Sequence, residues 1–159
     1  MTVASNVSKY EIDRNKPMPN RIHGEIQTQI LVNLTINYGD KYSFPSEVSL
    51  ATNPGSTPDI AIFPKKKLSL KVVKAKEEEA PITTIEIQSP FQSIEELQHK
   101  IWDLYFPMGV QSAWIVIPSM KAVKILYAND KEEIFNTGEV KDAVTGIIIE
   151  LAKIFACME

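Results

Sequence analysis

The chain has 159 residues, 44% of them hydrophobic and 23% charged, and a formal net charge of −3. That length suits one domain with one core, and the composition is that of a globular protein rather than a disordered or fibrous one. The acidic balance argues against a sequence-independent electrostatic grip on nucleic acid by the whole surface, and the single cysteine, Cys157, excludes an intramolecular disulfide and a cysteine zinc site.

No apolar run reaches the ~18 residues that a membrane span needs, and the polar start lacks the apolar centre of a signal peptide. The expected setting is cytoplasmic and reducing. Residues 1–19 show no periodicity, and Pro17 and Pro19 oppose a helix, so an irregular or partly ordered N-terminal arm is expected, followed by a single domain over 20–159. Asn20 can cap a helix running to about Asn37, with Ile26, Ile30 and Leu34 at helical spacing. His23 falls within that apolar face, one turn up, and Glu25 projects away from it.

Three β-like runs follow. Residues 42–50 alternate loosely and include Glu47. Residues 51–57 form a turn rich in Asn, Pro, Gly and Ser, and residues 58–63 read as an almost wholly apolar, central strand headed by Asp59. Lys65, Lys66 and Lys67 open a charged excursion, with a short strand expected at 68–73. Residues 82–88 form an apolar strand interrupted by Glu86 and closed by Ser89-Pro90.

Ser93 and Glu96 have capping-box spacing and begin a helix with Ile94, Leu97, Ile101, Leu104 and Met108 on one face; Lys100 lies at its edge and Gly109 ends it. Residues 112–117 and 122–127 make a hairpin, and 131–135 an edge strand. The tail reads either as one helix over 140–155 or, because of Gly146 and the β-branched run 147–149, as a strand and then a short helix. Helices bridging strands imply an α/β fold with a mixed central sheet flanked by helices.

The chemistry concentrates in two acids. If the strands of Asp59 and Glu86 are neighbours, their carboxylates can share a hard divalent cation, with the Ile87 carbonyl as a third oxygen. Such an ion suits phosphodiester hydrolysis, because it activates water and neutralises developing charge. Asp59 after Pro58 also fits an ordinary turn. Glu86 between Ile85 and Ile87 fits one less well, since a carboxylate in an interior strand is costly unless paired or metal-bound. Glu47 can face the same cleft, and His23 is either a satisfied core histidine or a neighbour of the site. Lys100 can pair with Glu96 at i, i+4 on the surface or reach back into the cleft. The 65–67 lysines can contact a phosphate backbone or form a solvated tip. Trp102, Tyr105, Phe106 and Trp114 read as core or interface aromatics.

Pro58-Asp59 followed by Glu86-Ile87-Gln88 resembles the signature of the PD-(D/E)XK phosphodiesterase superfamily, the restriction-endonuclease-like fold. The likeness is closer to a branch of small bacterial proteins described as restriction endonucleases. It extends over about residues 20–156, through His23-Gly24-Glu25-Ile26-Gln27, Ser46-Glu47-Val48, Pro58 to Ile62, Ile85 to Pro90, Lys100 with Tyr105 and Gly109-Val110, Trp114 to Pro118, and Gly146 through Phe155. The resemblance implies a metal-dependent endonuclease acting on DNA. Asp59 and Glu86 would bind Mg2+ or Mn2+, Gln88 would orient water or phosphate, and Lys100 would stabilise charge. A homodimer would cut both strands of a duplex.

The chain departs from the pattern at Gln88, where the superfamily has lysine, and at Ile117, where the branch has aspartate. One extra residue also separates Lys100 from Gly109. The alternative is a degenerate relative that binds nucleic acid or a protein without cleavage.

Overall fold

The computed structural model describes residues 8–14 and 16–159. A six-stranded mixed sheet runs in the order β1 (Tyr42–Ser43), β2 (Ile60–Pro64), β3 (Thr83–Ile87), β4 (Ser112–Ile117), β5 (Ala122–Tyr127) and β6 (Glu132–Phe135). Only β3 and β4 pair in parallel, and helix α3 (Ile94–Lys100) makes the crossover between them. The other neighbours are antiparallel. A separate two-stranded ribbon, β7 (Glu139–Lys141) with β8 (Ile148–Glu150), precedes the short helix α5 (Leu151–Ile154). The strand-then-helix reading of the tail is therefore the one the chain adopts.

Every residue of β3 and β4 is buried, as expected for strands covered on both faces. Alternation sends Ile85, Ile87, Trp114 and Val116 to one face, against α2 (Arg21–Tyr38), where Ile26, Ile30 and Leu34 meet them. Ala113, Ile115 and Ile117 point to the other face, against Leu97, Ile101 and Tyr105. Glu86 shares this second orientation, so its carboxylate is directed at the α3 side.

Asn20 caps α2 as expected, its side chain accepting from the His23 N–H at 2.9 Å. Ser93 caps α3 in the same way. Beyond Lys100 the helix widens into a π-helical segment, Ile101–Tyr105, in which the Phe106 N–H reaches the Ile101 carbonyl five residues back. Pro107 lacks the N–H that would bond Asp103, so the ordinary ladder is already interrupted there. The closing turn α4 (Phe106–Met108) ends at Gly109, whose φ of 119° favours glycine.

Three expectations need correction. Residues 42–50 form only the two-residue β1 and isolated bridges at Ser46 and Leu50, because Pro45 and the left-handed Glu47 (φ 53°) break the run. Residues 68–73 are not a strand; Leu68, Leu70, Val72 and Val73 lie exposed in an excursion without a ladder partner among the described residues. The arm expected to be irregular carries a short helix, α1 (Lys9–Arg14), before its prolines, while residues 1–7 lie outside the described residues.

Candidate active site

The antiparallel register of β2 and β3 pairs Ile60 with Ile85. Asp59 immediately precedes β2, and extending the register by one step sets it opposite Glu86, with the Ile87 N–H donating to its Oδ2. Both are almost wholly buried, at 1% and 2% exposure. The two acids are thus brought together at one end of the sheet by strand pairing alone.

Asp59 is held from several directions. Oδ1 accepts from the Lys16 ammonium at 2.7 Å, and Oδ2 accepts from the Ile87 N–H at 2.7 Å and lies 3.0 Å from His23 Nε2. Its main-chain carbonyl accepts from Gln27 Nε2 at 2.9 Å and from the Glu47 N–H at 3.1 Å. Burial alone would push the Asp59 carboxyl up. His23, Lys16 and the Ile87 N–H outweigh it and hold the group below the usual carboxylate range.

Glu86 receives its donors from the opposite side. Its Oε1 accepts from Lys100 Nζ at 2.9 Å and from the Tyr105 hydroxyl. Lys100 is buried, so the surface pair with Glu96 is not formed. Burial and the adjacent Glu86 charge raise Tyr105 well above an ordinary phenol, keeping it a proton donor.

The surrounding residues complete the picture. Glu47 accepts from the Tyr10 hydroxyl at 2.7 Å and pairs with Lys16 at 3.1 Å. Burial opposes its charge, yet Tyr10 and Lys16 hold it below the usual carboxylate range. Burial likewise opposes the charge on Lys16, but Asp59, Glu86 and Glu47 raise it above the ordinary lysine range. His23 is buried, and its Nδ1 has no hydrogen-bond partner among the described residues.

Gln88 is not drawn into this cluster by any described bond. Its amide donates to the Gln92 carbonyl at 2.7 Å and braces the turn after β3. Glu25 pairs at the surface with Arg21. Lys66 pairs with Glu79 at 2.8 Å in the excursion, and the Lys65 ammonium bonds the Gly39 carbonyl.

Sequence reasoning missed Lys16 and underrated Tyr105. Lys16 is a lone lysine just ahead of Pro17 and Pro19 and carries no periodic signal. Tyr105 lies five residues from Lys100, which on an α-helix is a different face. Among the described residues no group of three or more His, Cys, Asp or Glu side chains stands ready to hold a metal. Asp59, Glu86 and Glu47 each carry a carboxylate oxygen with an ammonium group in contact.

A family model described as "Uma2: Putative restriction endonuclease" matches residues 9–151. The chain belongs to the Uma2 family. Membership covers α1, the sheet and most of the tail, and it assigns the chain to the nucleases at the family level. A crystal structure described as "a putative nuclease belonging to DUF820", from Anabaena variabilis, superposes with a TM-score of 0.73 at 20% identity, covering 88% of this chain and 83% of that one. At that identity the likeness shows the fold, which is restriction-endonuclease-like. No curated protein matches the chain. Among the described residues, no helix of this Uma2-family chain is long and apolar enough to cross a membrane.

Proposed function

We propose that the chain is a divalent-metal-dependent endonuclease that hydrolyses DNA phosphodiester bonds. The observation that carries this reading is the convergence of Asp59 and Glu86 across the β2–β3 register, each with a buried lysine. Hard oxygen donors of this kind suit Mg2+ or Mn2+, with Ile87, whose N–H already faces Asp59, supplying a carbonyl and Glu47 bonding through water. Bound there, the metal would activate the attacking water and offset phosphate charge.

The chain's own groups do the rest. Glu86 uses Oε1 for Lys100 and Tyr105, which leaves Oε2 available to a cation. Lys100 lines a cavity of about 570 Å³ between the arm and α3, where its ammonium can stabilise charge on a phosphodiester. His23 orients Asp59. Gln88 shapes the turn at the cleft and can meet water or phosphate only by releasing Gln92. The exposed 65–67 lysines supply sequence-independent backbone contacts. A cytoplasmic setting, where DNA and Mg2+ meet, suits the reading, and a homodimer would cut both strands.

One observation favours a second reading, a non-cutting relative that binds nucleic acid or protein: the strand lysine is replaced by Gln88, whose amide is already engaged. Incubating supercoiled plasmid with the protein and Mg2+, Mn2+ or a chelator separates the two. Nicking that the chelator stops supports the nuclease. Binding without nicking in either metal supports the second reading.

A further inference from the structure

Lys16 and Lys100 are the two buried lysines among the described residues, and each is spent on an acid of the candidate site. Their positions differ in kind. Lys100 belongs to a helix packed into the core. Lys16 comes from the arm, flanked by Pro17, and enters the cleft from outside the sheet. Its ammonium lies 2.7 Å from Asp59 and 3.1 Å from Glu47, within the field of Glu86. The buried Asp59 carboxylate needs positive charge, and this one ammonium bridges it to the more exposed Glu47 while feeling the charge of Glu86.

We propose that Lys16 is the resident cation of the acid site: its ammonium holds the position at Asp59 that a divalent ion would take, and metal binding displaces it. The inference rests on the metal-site reading of Asp59 and Glu86. A metal ion and an ammonium cannot share Asp59 Oδ1 at contact distance without strong repulsion. Lys16 also lines the cavity of about 570 Å³ that it shares with Glu11, Glu96 and Lys100, which gives the displaced side chain adjacent space and acidic neighbours. There the released ammonium joins Lys100, facing the place where a phosphodiester would bring the complementary charge. The arm is thus an internal competitor that sets the affinity of the site for metal and couples metal entry to readiness for substrate. Tyr10, bonded to Glu47 from α1, ties the same arm to the same carboxylates.

Binding of Mn2+ to the full chain, read from the loss of the free-ion paramagnetic resonance signal, tests this without reference to cleavage. Lys16→Gln is expected to bind Mn2+ about tenfold or more tightly than the wild type. Lys16→Arg, which keeps a cation, is expected to show no such gain, and Asp59→Asn to weaken binding. Equal or weaker binding by a folded Lys16→Gln overturns the proposal while leaving the metal site standing. Absence of Mn2+ binding in both wild type and Lys16→Gln overturns the metal reading and the proposal together. Should Lys16→Gln fail to fold, the wild type decides. The Lys16 amide, which donates to the Glu11 carbonyl at 3.2 Å, should shift in the NMR spectrum in step with Mg2+ occupancy. A resonance unmoved at saturation overturns the proposal.

Discussion

Lys100 and Tyr105 are five residues apart in one helix, yet both donate to Oε1 of Glu86. On a regular α-helix five residues span about 500°, which leaves the two side chains about 140° apart. The π-helical segment Ile101–Tyr105 widens the turn to a five-residue repeat and returns Tyr105 to the face of Lys100. Tyr105→Phe therefore removes a buried donor to a charged acceptor. We expect a loss of about 1.5–3 kcal/mol in urea unfolding. A stability unchanged from wild type would show that the hydroxyl bond contributes nothing.

The Lys100–Glu86 pair should show strong non-additivity. Lys100→Met leaves a buried carboxylate without its cation and should cost roughly 3–5 kcal/mol. Adding Glu86→Gln should recover most of that loss, because the charge left behind is removed as well. The double variant should be folded and unable to nick DNA. Additive losses in the denaturation cycle would contradict a direct pair.

Acid stability should depend on Asp59. Its folded carboxyl titrates below the unfolded value, so its contribution is full above about pH 4 and is lost as pH falls towards the folded value. The wild type should lose urea resistance across that interval. Asp59→Asn should be less stable near neutrality, since Lys16 loses a partner, and should show a shallower decline below pH 4. Parallel pH profiles for the two proteins would contradict the assignment.

Asp142 is a buried acid of another kind. Its Oδ2 accepts from the Ser112 hydroxyl at 2.8 Å and Trp114 Nε1 at 2.7 Å, and its Oδ1 from the Val144 N–H at 2.8 Å. It ties the β7–β8 turn to β4, away from the Asp59 cleft. Asp142→Asn should cost about 1–3 kcal/mol, because the amide turns a donor towards donors, and should leave Mn2+ binding unchanged. Lost metal binding in a folded Asp142→Asn would contradict this division of roles.

Much of this architecture was legible in the residues. The apolar runs around Asp59 and Glu86, the caps Asn20 and Ser93, and the hairpin at 112–127 each follow from local rules, and strand pairing then sets the acids opposite each other. Two features were not legible for physical reasons. The extra residue between Lys100 and Gly109 departs from the family pattern. A π-helical turn absorbs five residues in one repeat, so spacing counted at 3.6 residues per turn misplaces Tyr105. Lys16 was invisible because its role depends on long-range placement: 43 residues separate it from Asp59, and nothing periodic surrounds it. The excursion at 68–73 failed in the opposite way. Its alternating Leu and Val resemble a strand, but among the described residues no sheet edge receives it, and propensity without a partner does not make a ladder.

The central claim is that Asp59 and Glu86 form the catalytic metal site of a nuclease. The most direct measurement is the rate of supercoiled-plasmid nicking at saturating Mn2+ by wild type, Asp59→Asn and Glu86→Gln, each shown to be folded. The account predicts metal-dependent nicking by the wild type and a fall of about a hundredfold or more in each variant. Nicking by folded Asp59→Asn or Glu86→Gln at the wild-type rate would contradict it.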